Sequence, residues 1–177
     1  IQGSAFSGCT KLKTVELSEG LTSIGSSAFN GSAIESITIP STVTDIDFGY
    51  AFNNCKNLKE IKIAGDNFKS ENGMIYTSDG KKIVYCPKSY VGVVNVPEGV
   101  EEIADGTFDG CKDITQVNLP KSLITIGGGA FSQCENIMKI DLPDNIKEIK
   151  GSAFNGCTGI GEIVIPEGVT SIESYTF

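Results

Sequence analysis

The stretch Ile126–Ile149, IGGGAFSQCENIMKIDLPDNIKEI, contains every feature from which the fold of this protein is predicted. Its alanine–phenylalanine pair recurs along the chain. Successive phenylalanines of the series are 23 residues apart, with a single longer interval of 56 residues. Such a period is typical of a solenoid, in which each repeat forms one coil that buries its apolar side against the next coil. The phenylalanines of this series are Phe6, Phe29, Phe52, Phe108, Phe131, Phe154 and Phe177.

Within one repeat, the apolar positions predict two inward-facing stretches joined by a corner. Ile140 and Leu142 flank the outward-facing Asp141, which is the alternation of a β-strand, and the same strand of the next coil would lie beside it in parallel. Pro143 ends this strand because proline has no N–H to donate to the sheet. A second apolar stretch follows, and the Ala-Phe-x-x-Cys segment then predicts a corner with a short helical turn, whose phenylalanine fills the interior.

The long interval predicts an interruption of the repeat at about residues 64–90, carrying an inserted β-hairpin. In the segment Asn72–Pro87, NGMIYTSDGKKIVYCP, apolar residues alternate on both sides of an Asp-Gly pair at 79–80. This arrangement is a strong hairpin signal. We therefore predict strands near Met74–Tyr76 and Ile83–Tyr85.

Aromatic residues gather in the interruption and have two interpretations. The first is that Tyr76, Tyr85 and Tyr90 only pack the hairpin onto the solenoid. The second is that some of them, together with the turn at Asp79, are exposed to a partner, since loops on a rigid scaffold often carry recognition. All four are candidate partner-binding residues.

The outward positions of the predicted strands form a second candidate surface. Solenoids use such columns to bind partners. The column contains no aromatic residue and is mixed in charge, so a plain solvated face is the favoured interpretation and Glu16, Lys62 and Asp141 are alternative contact residues. The column runs through Glu16, Thr38, Lys62, Asn95, Asn118, Asp141 and Val164.

Five of the six cysteines lie three residues after a corner phenylalanine, at one position of the repeat. Stacked coils point such side chains in the same direction, whereas a disulfide needs two thiols that face each other. We therefore predict a ladder of buried, reduced thiols, with disulfides or a metal site as disfavoured alternatives. Cys86 stands apart in the interruption, and the ladder consists of Cys9, Cys55, Cys111, Cys134 and Cys157.

Composition and charge argue against several functional classes. The 177 residues carry a net charge of −8, which opposes binding to nucleic acid and to anionic membrane surfaces. No apolar run approaches the length of a membrane span, about 18 residues, so no direct membrane insertion is expected. The chain has no histidine, which removes Ser-His-Asp and Cys-His catalysis and most catalytic zinc sites. We expect no enzyme activity, cofactor or metal; a carboxylate pair for glycoside hydrolysis is the remaining enzymatic alternative.

The Ala-Phe-x-x-Cys-x-x-Leu core, the Ile-x-Leu-Pro strand end and the interruption MIYTSDGKKIVY resemble the BspA-like class of bacterial leucine-rich repeats. The resemblance covers essentially the whole chain and implies an α/β, β-rich leucine-rich repeat solenoid with one parallel strand per repeat of about 23 residues. Two departures are small: Ser32 replaces the ladder cysteine, and the corner at Asp47–Phe52 is one residue longer than its counterparts.

The same resemblance implies a secreted or surface-displayed protein of host-associated bacteria, with an adhesion role and no catalytic residues. We expect residues 1–177 to form a single array that is a segment of a longer one, without the signal and anchor of the intact protein. The expected function is non-enzymatic binding of a protein or glycan partner, such as a host surface molecule. The alternative is a passive spacer within a larger cell-surface protein.

Overall fold

The computed structural model describes all 177 residues, which form a solenoid with a front and a back strand in most coils. Front strands precede the proline of each repeat and back strands follow it. The elements are, in chain order, β1 (Ser23–Ile24), β2 (Ser36–Ile39), β3 (Asp45–Ile46), α1 (Phe48–Ala51), β4 (Glu60–Ile63), β5 (Phe68–Glu71), β6 (Met74–Thr77), β7 (Lys82–Tyr85), β8 (Gly92–Asn95), β9 (Glu102–Ile103), β10 (Ile114–Asn118), β11 (Thr125–Ile126), β12 (Lys139–Ile140) and β13 (Glu148–Ile149).

The strands of successive coils pair in parallel, which confirms the stacking predicted from the period. On the front, β2 pairs with β4, and β10 pairs with β8 and β12. Inward residues one coil apart lie side by side: Val94 is opposite Val117, which is opposite Ile140. On the back, β7, β9, β11 and β13 are parallel neighbours. Because no coil can bury its own apolar side, this lateral pairing creates the core.

The corner phenylalanines stack ring on ring along the solenoid axis. Neighbouring ring centroids are 5.0–5.6 Å apart and the rings are within 7° of parallel. The interruption divides them into two columns. One contains Phe6, Phe29 and Phe52, and the other contains Phe108, Phe131, Phe154 and Phe177.

The corners are turns, and α1 is the only helix. A left-handed residue lies two positions before and two positions after the phenylalanine, as Gly129 (φ 59°) and Gln133 (φ 57°) do around Phe131. Residues in this conformation cannot continue a right-handed helix, so the predicted helical turns are limited to one corner. Ser152, two positions before Phe154, is likewise left-handed at φ 59°. Nothing in the structure explains the choice of glutamine at 133.

The interruption is a three-stranded antiparallel sheet that joins the back of the solenoid. The predicted hairpin is confirmed as β6 and β7, and β7 then pairs in parallel with β9. The third strand, β5, pairs with β6 and has the sequence FKSE with mostly exposed side chains. Its sequence lacks the apolar alternation that reveals a strand, and its neighbour β6 supplies the hydrogen bonds that hold it.

The interruption splits the front sheet into two parts. Strands β4 and β8 are consecutive on the front, yet they belong to separate sheets. At the corner, α1 instead packs directly on the coil that follows β9: Gly49 lies against the Asp105 carbonyl, and the Tyr50 hydroxyl donates to the Gly128 carbonyl at 3.0 Å. The backbone hydrogen bonds between successive corners also change partner here. The Thr107 carbonyl oxygen accepts from Cys86 N, which belongs to the interruption.

The cysteine ladder follows the stacked corners. The thiols of Cys55, Cys134 and Cys157 each donate to the carbonyl of the corner phenylalanine one coil earlier, at 3.0 Å. Burial raises the pKa of Cys134, and it raises the pKa of Cys157 to about 11. The thiols of Cys55, Cys134 and Cys157 therefore point along one direction, stay protonated near neutral pH and have low nucleophilicity.

We expect a thiol reagent at pH 8 to react slowly with native protein that was prepared in a reducing buffer. Cys9 and Cys157, which are partly exposed, should react before the four buried cysteines because access and thiolate fraction control the rate. All six cysteines should react after denaturation without further reductant. Mass spectrometry of the labelled protein gives both counts. Rapid modification of Cys134 in the native state would contradict the packing described above.

Candidate binding site

A notch of about 490 Å³ opens where the front sheet is split. One wall is the corner segment 52–58, which leads into β4. The other wall combines residues 88–89, which lead into β8, with residues 109–112 of the following corner. Tyr85, the last residue of β7, is buried at the base. The notch therefore exists because the chain departs from its repeat at this point.

Side chains replace the regular backbone ladder along the notch. In an ordinary corner, Gly110 N donates to Ser132 O of the next coil at 2.7 Å. The equivalent carbonyl at the break, that of Asp109, accepts from Lys88 Nζ instead. Asn53 Nδ2 also reaches across to Asp109 Oδ2 at 3.1 Å, while the buried Asn53 Oδ1 has no donor. An unmet buried acceptor costs about 1–3 kcal/mol. The coils before the interruption therefore pack less completely against the coils after it than successive coils pack elsewhere.

Three lysines, contributed by three separate segments, surround the notch. Lys56 and Lys112 are exposed, and Lys88 is half-buried. The lining contains one carboxylate, that of Asp109, and Lys112 forms an ion pair with Glu135, which lies outside the lining. In a chain of net charge −8, this is a locally positive site. Such a site attracts anionic groups.

Exposed apolar side chains adjoin the lysine-lined wall. Val91 is 72% exposed and Val93, on β8, is 43% exposed. Gln116 and Lys139 occupy the position of Val93 in the next two coils. The notch is thus flanked by a small apolar surface as well as by positive charge, which is a combination suited to binding.

Tyr76 and Tyr85 are buried and pack the hairpin onto the solenoid. Tyr76 is 4% exposed, and its burial raises its pKa to about 12. The Tyr85 ring lies edge-on to Phe52, with centroids 6.5 Å apart. Both rings are buried, and Tyr85 also forms the base of the notch. Tyr90 is half-buried, and its hydroxyl lies 3.4 Å from Val93 O beside the notch.

Asp79 is exposed at the turn between β6 and β7. Its carboxylate accepts hydrogen bonds from Thr77 Oγ1 at 2.6 Å and from Lys81 N at 2.9 Å. These bonds lower the pKa of Asp79, with the Thr77 bond as the largest cause. The side chain holds the turn, and it lies at the opposite end of β7 from the notch.

The front-column residues Glu16, Lys62 and Asp141 are exposed and lie on three separate coils. Lys62 pairs with Glu60 at 3.5 Å, and Asp141 pairs with Lys139 at 2.9 Å. Their charges are therefore partly satisfied within their own strands, and the structure does not bring the three together.

The notch lysines were missed by sequence reasoning. Lys56 precedes the interruption, Lys88 lies at its end and Lys112 follows it, so no local spacing connects the three. The signal that was present is the valine at position 93, where most other coils carry a polar residue. The two exposed valines, at positions 91 and 93, distinguish this coil from the other coils.

Stacked parallel strands, one repeat per coil and an apolar interior shared by neighbouring coils define a solenoid of the leucine-rich repeat class. The chain belongs to the BspA type leucine rich repeat family, whose profile matches residues 1–93 and 85–177 with six copies. A comparison with curated protein sequences finds no match. The family and fold are those of typically non-enzymatic binding modules.

Solved structures of bacterial proteins share this fold. A leucine rich cell surface protein from Faecalibacterium prausnitzii is 28% identical with a TM-score of 0.84, over 99% of this chain and 53% of that one. The pneumococcal vaccine antigen PcpA is 23% identical with a TM-score of 0.74, over 94% of this chain and 48% of that one. A leucine-rich repeat protein from Eubacterium ventriosum is 19% identical with a TM-score of 0.63, over 99% of this chain and 66% of that one.

The chain spans about half the length of the first two of these proteins. The relative that is 28% identical is a cell surface protein. None of the helices in the structure has the length and apolar character needed to cross a membrane.

Proposed function

We propose that this chain is a non-enzymatic, surface-displayed adhesion module that binds carboxylate-bearing groups of a protein or glycan partner through the notch. One observation carries the proposal: three lysines from separate segments meet at the only place where the front sheet is split. The repeated positions elsewhere are occupied by core packing, which leaves this departure from the repeat free for recognition.

Charge supports an acidic partner. The protein has 22 acidic and 14 basic side chains, so most of its surface repels anions. Lys56, Lys88 and Lys112 outnumber the two carboxylates at the notch, that of Asp109 in the lining and that of Glu135, which pairs with Lys112. The local field there attracts carboxylates and speeds their association, an effect that weakens as salt is added.

Hydrogen-bonding groups support a ligand that also carries hydroxyls or amides. Asn54, Ser89 and Gln133 line the notch and each offers both a donor and an acceptor. The exposed Val91 and Val93 add apolar area beside them. A saccharide acid and an acidic protein segment both meet these requirements, so binding is measured with one probe of each kind.

The notch is tested by binding to three defined probes: an oligogalacturonate, a neutral oligogalactose of the same length and a poly-glutamate peptide. The triple variant Lys56→Gln, Lys88→Gln and Lys112→Gln should weaken binding of the carboxylated probe about tenfold or more, because charge-assisted contacts are lost. Isothermal titration at two salt concentrations gives the affinity and its salt dependence. Equal affinity for the neutral probe would contradict a carboxylate site.

The matched control removes three lysines from other exposed positions: Lys11→Gln, Lys121→Gln and Lys147→Gln. It changes the net charge by the same amount. If the control binds as the parent does, the loss in the triple variant is due to the notch lysines. If the control is weakened equally, the loss is due to the overall charge of the protein. Preference for poly-glutamate over oligogalacturonate would identify an acidic protein segment as the partner.

Two further variants test the other surfaces. One replaces the Asp79 turn, residues 78–81, by a plain Asn-Gly turn; the other changes Glu16, Lys62 and Asp141 to alanine. We expect both to bind as the parent does. Loss of binding in the alanine variant alone would move the site to the front column, and absence of any binding to all probes would favour the spacer role.

A further inference from the structure

Cys86 and Cys111 face each other where the interruption meets the following corner. Both side chains are fully buried. The Cys86 sulfur lies 3.7 Å and the Cys111 sulfur 3.8 Å from the same acceptor, the Pro87 carbonyl oxygen. Each thiol also perturbs the pKa of the other.

The thiol of Cys111 has a different hydrogen-bond acceptor from the thiols of three other cysteines of the ladder. The thiols of Cys55, Cys134 and Cys157 donate to a corner phenylalanine carbonyl of the preceding coil at 3.0 Å. For Cys111 that coil is replaced by the interruption, and the nearest carbonyl is the more distant one of Pro87. The argument that parallel ladder positions never face each other therefore does not apply to Cys111, because Cys86 approaches it from outside the repeat.

We propose that Cys86 and Cys111 are a redox modification site that forms an intramolecular disulfide with a low-molecular-weight disulfide as the oxidant. In the first step, a cysteine thiolate attacks the oxidant, forms a mixed disulfide and releases one thiol. In the second step, the partner cysteine attacks that mixed disulfide, forms the Cys86–Cys111 bond and releases the second thiol. The two cysteines lose two electrons and two protons, which the two released thiols carry.

The electrostatics assign the attacking group. The interaction between the two thiols lowers the pKa of Cys111 and raises that of Cys86. The positive charge of Lys88 stabilises the thiolate of either cysteine. The directions of the two shifts favour Cys111 as the thiolate that attacks the oxidant.

The bond would fasten the end of the interruption to the corner that follows it. It closes a loop of about 26 residues, which restricts the unfolded chain and raises Tm by roughly 10 °C. It would also hold together the two segments of one notch wall, residues 88–89 and 109–112. The site stands independently of any ligand in the notch.

The test refolds the reduced, denatured protein in a buffer of reduced and oxidised glutathione, so burial in the native state does not limit access. The product is then alkylated under denaturing conditions and analysed by mass spectrometry. We expect the count of free thiols to fall from six to four, with a peptide map that joins Cys86 to Cys111. Six free thiols, a different pair, or glutathione adducts in place of the internal bond would overturn the proposal.

Three variants identify the pair without relying on the parent alone. Cys86→Ser and Cys111→Ser should each form no internal disulfide. Cys134→Ser, a ladder variant, should still lose two of its five remaining thiols. The Tm of the oxidised Cys134→Ser protein should rise relative to its reduced form, whereas the Tm of Cys86→Ser should not respond to oxidation. An internal disulfide in Cys86→Ser would also overturn the proposal.

Discussion

Replacing Phe131 by alanine should destabilise the protein by about 3–5 kcal/mol, the range for truncation of a buried aromatic side chain. The ring is completely buried between Phe108 and Phe154, with centroid distances of 5.0 and 5.4 Å. The substitution removes contacts on both faces and leaves a cavity inside the second column. The coils there share one continuous core, so the neighbours cannot close the gap without shifting two strand pairs. Urea denaturation followed by circular dichroism measures the loss.

Asp141→Ala is the control for this prediction. Asp141 belongs to the same repeat, but its side chain points outward and pairs only with Lys139 at the surface. Exposed ion pairs contribute little, so the change should stay within about 0.5 kcal/mol. Comparable losses for the two variants would mean that the inward and outward positions have been assigned incorrectly.

Replacing Gly49 by alanine should cost about 3 kcal/mol, at the upper end of overpacking effects. Gly49 is buried in α1, and a methyl group there would overlap the backbone carbonyl oxygen of Asp105. Backbone atoms cannot rotate away as a flexible side chain can, so the two corners must separate. That separation would also strain the hydrogen bond from Tyr50 to the Gly128 carbonyl. The same denaturation experiment measures the loss.

Gly161→Ala is the matched control because a methyl group at Gly161 has no heavy atom within 4 Å. Its stability should change by less than about 0.5 kcal/mol. Alanine has the better helix propensity, by about 1 kcal/mol, so a stabilised Gly49→Ala protein would show that α1 is not pressed against the following coil.

Much of the fold was predictable because each coil repeats the same local pattern. The 23-residue period, the inward pair at Ile140 and Leu142 and the hairpin around residues 79–80 all depend on neighbours close in sequence. The strand β5 was not predictable in this way, since its side chains are mostly exposed and its partner β6 holds it. The corner turns were mistaken for helical turns because a left-handed residue such as Ser152 has no reliable sequence signal.

The candidate site was predictable only in outline. The sequence indicated that recognition would lie where the repeat is interrupted, and it singled out aromatic residues of that segment. Tyr76 and Tyr85 proved to be buried, because the hairpin closes over the core instead of standing clear of it. The lysines of the notch carry no signal of their own, since an isolated lysine in a polar segment usually belongs to a solvated surface.

The sequence by itself determined the solenoid, its period, its inward positions and the place where it is interrupted, since all of these follow from a pattern that each coil repeats. Only the tertiary structure decided how the coils before the interruption meet the coils after it. Contacts between α1 and the corner near Asp105 set the notch, and the path of the chain after β7 places Cys86 beside Cys111. These contacts join residues that the repeated pattern does not relate to each other, so only the packing of the folded chain brings them together.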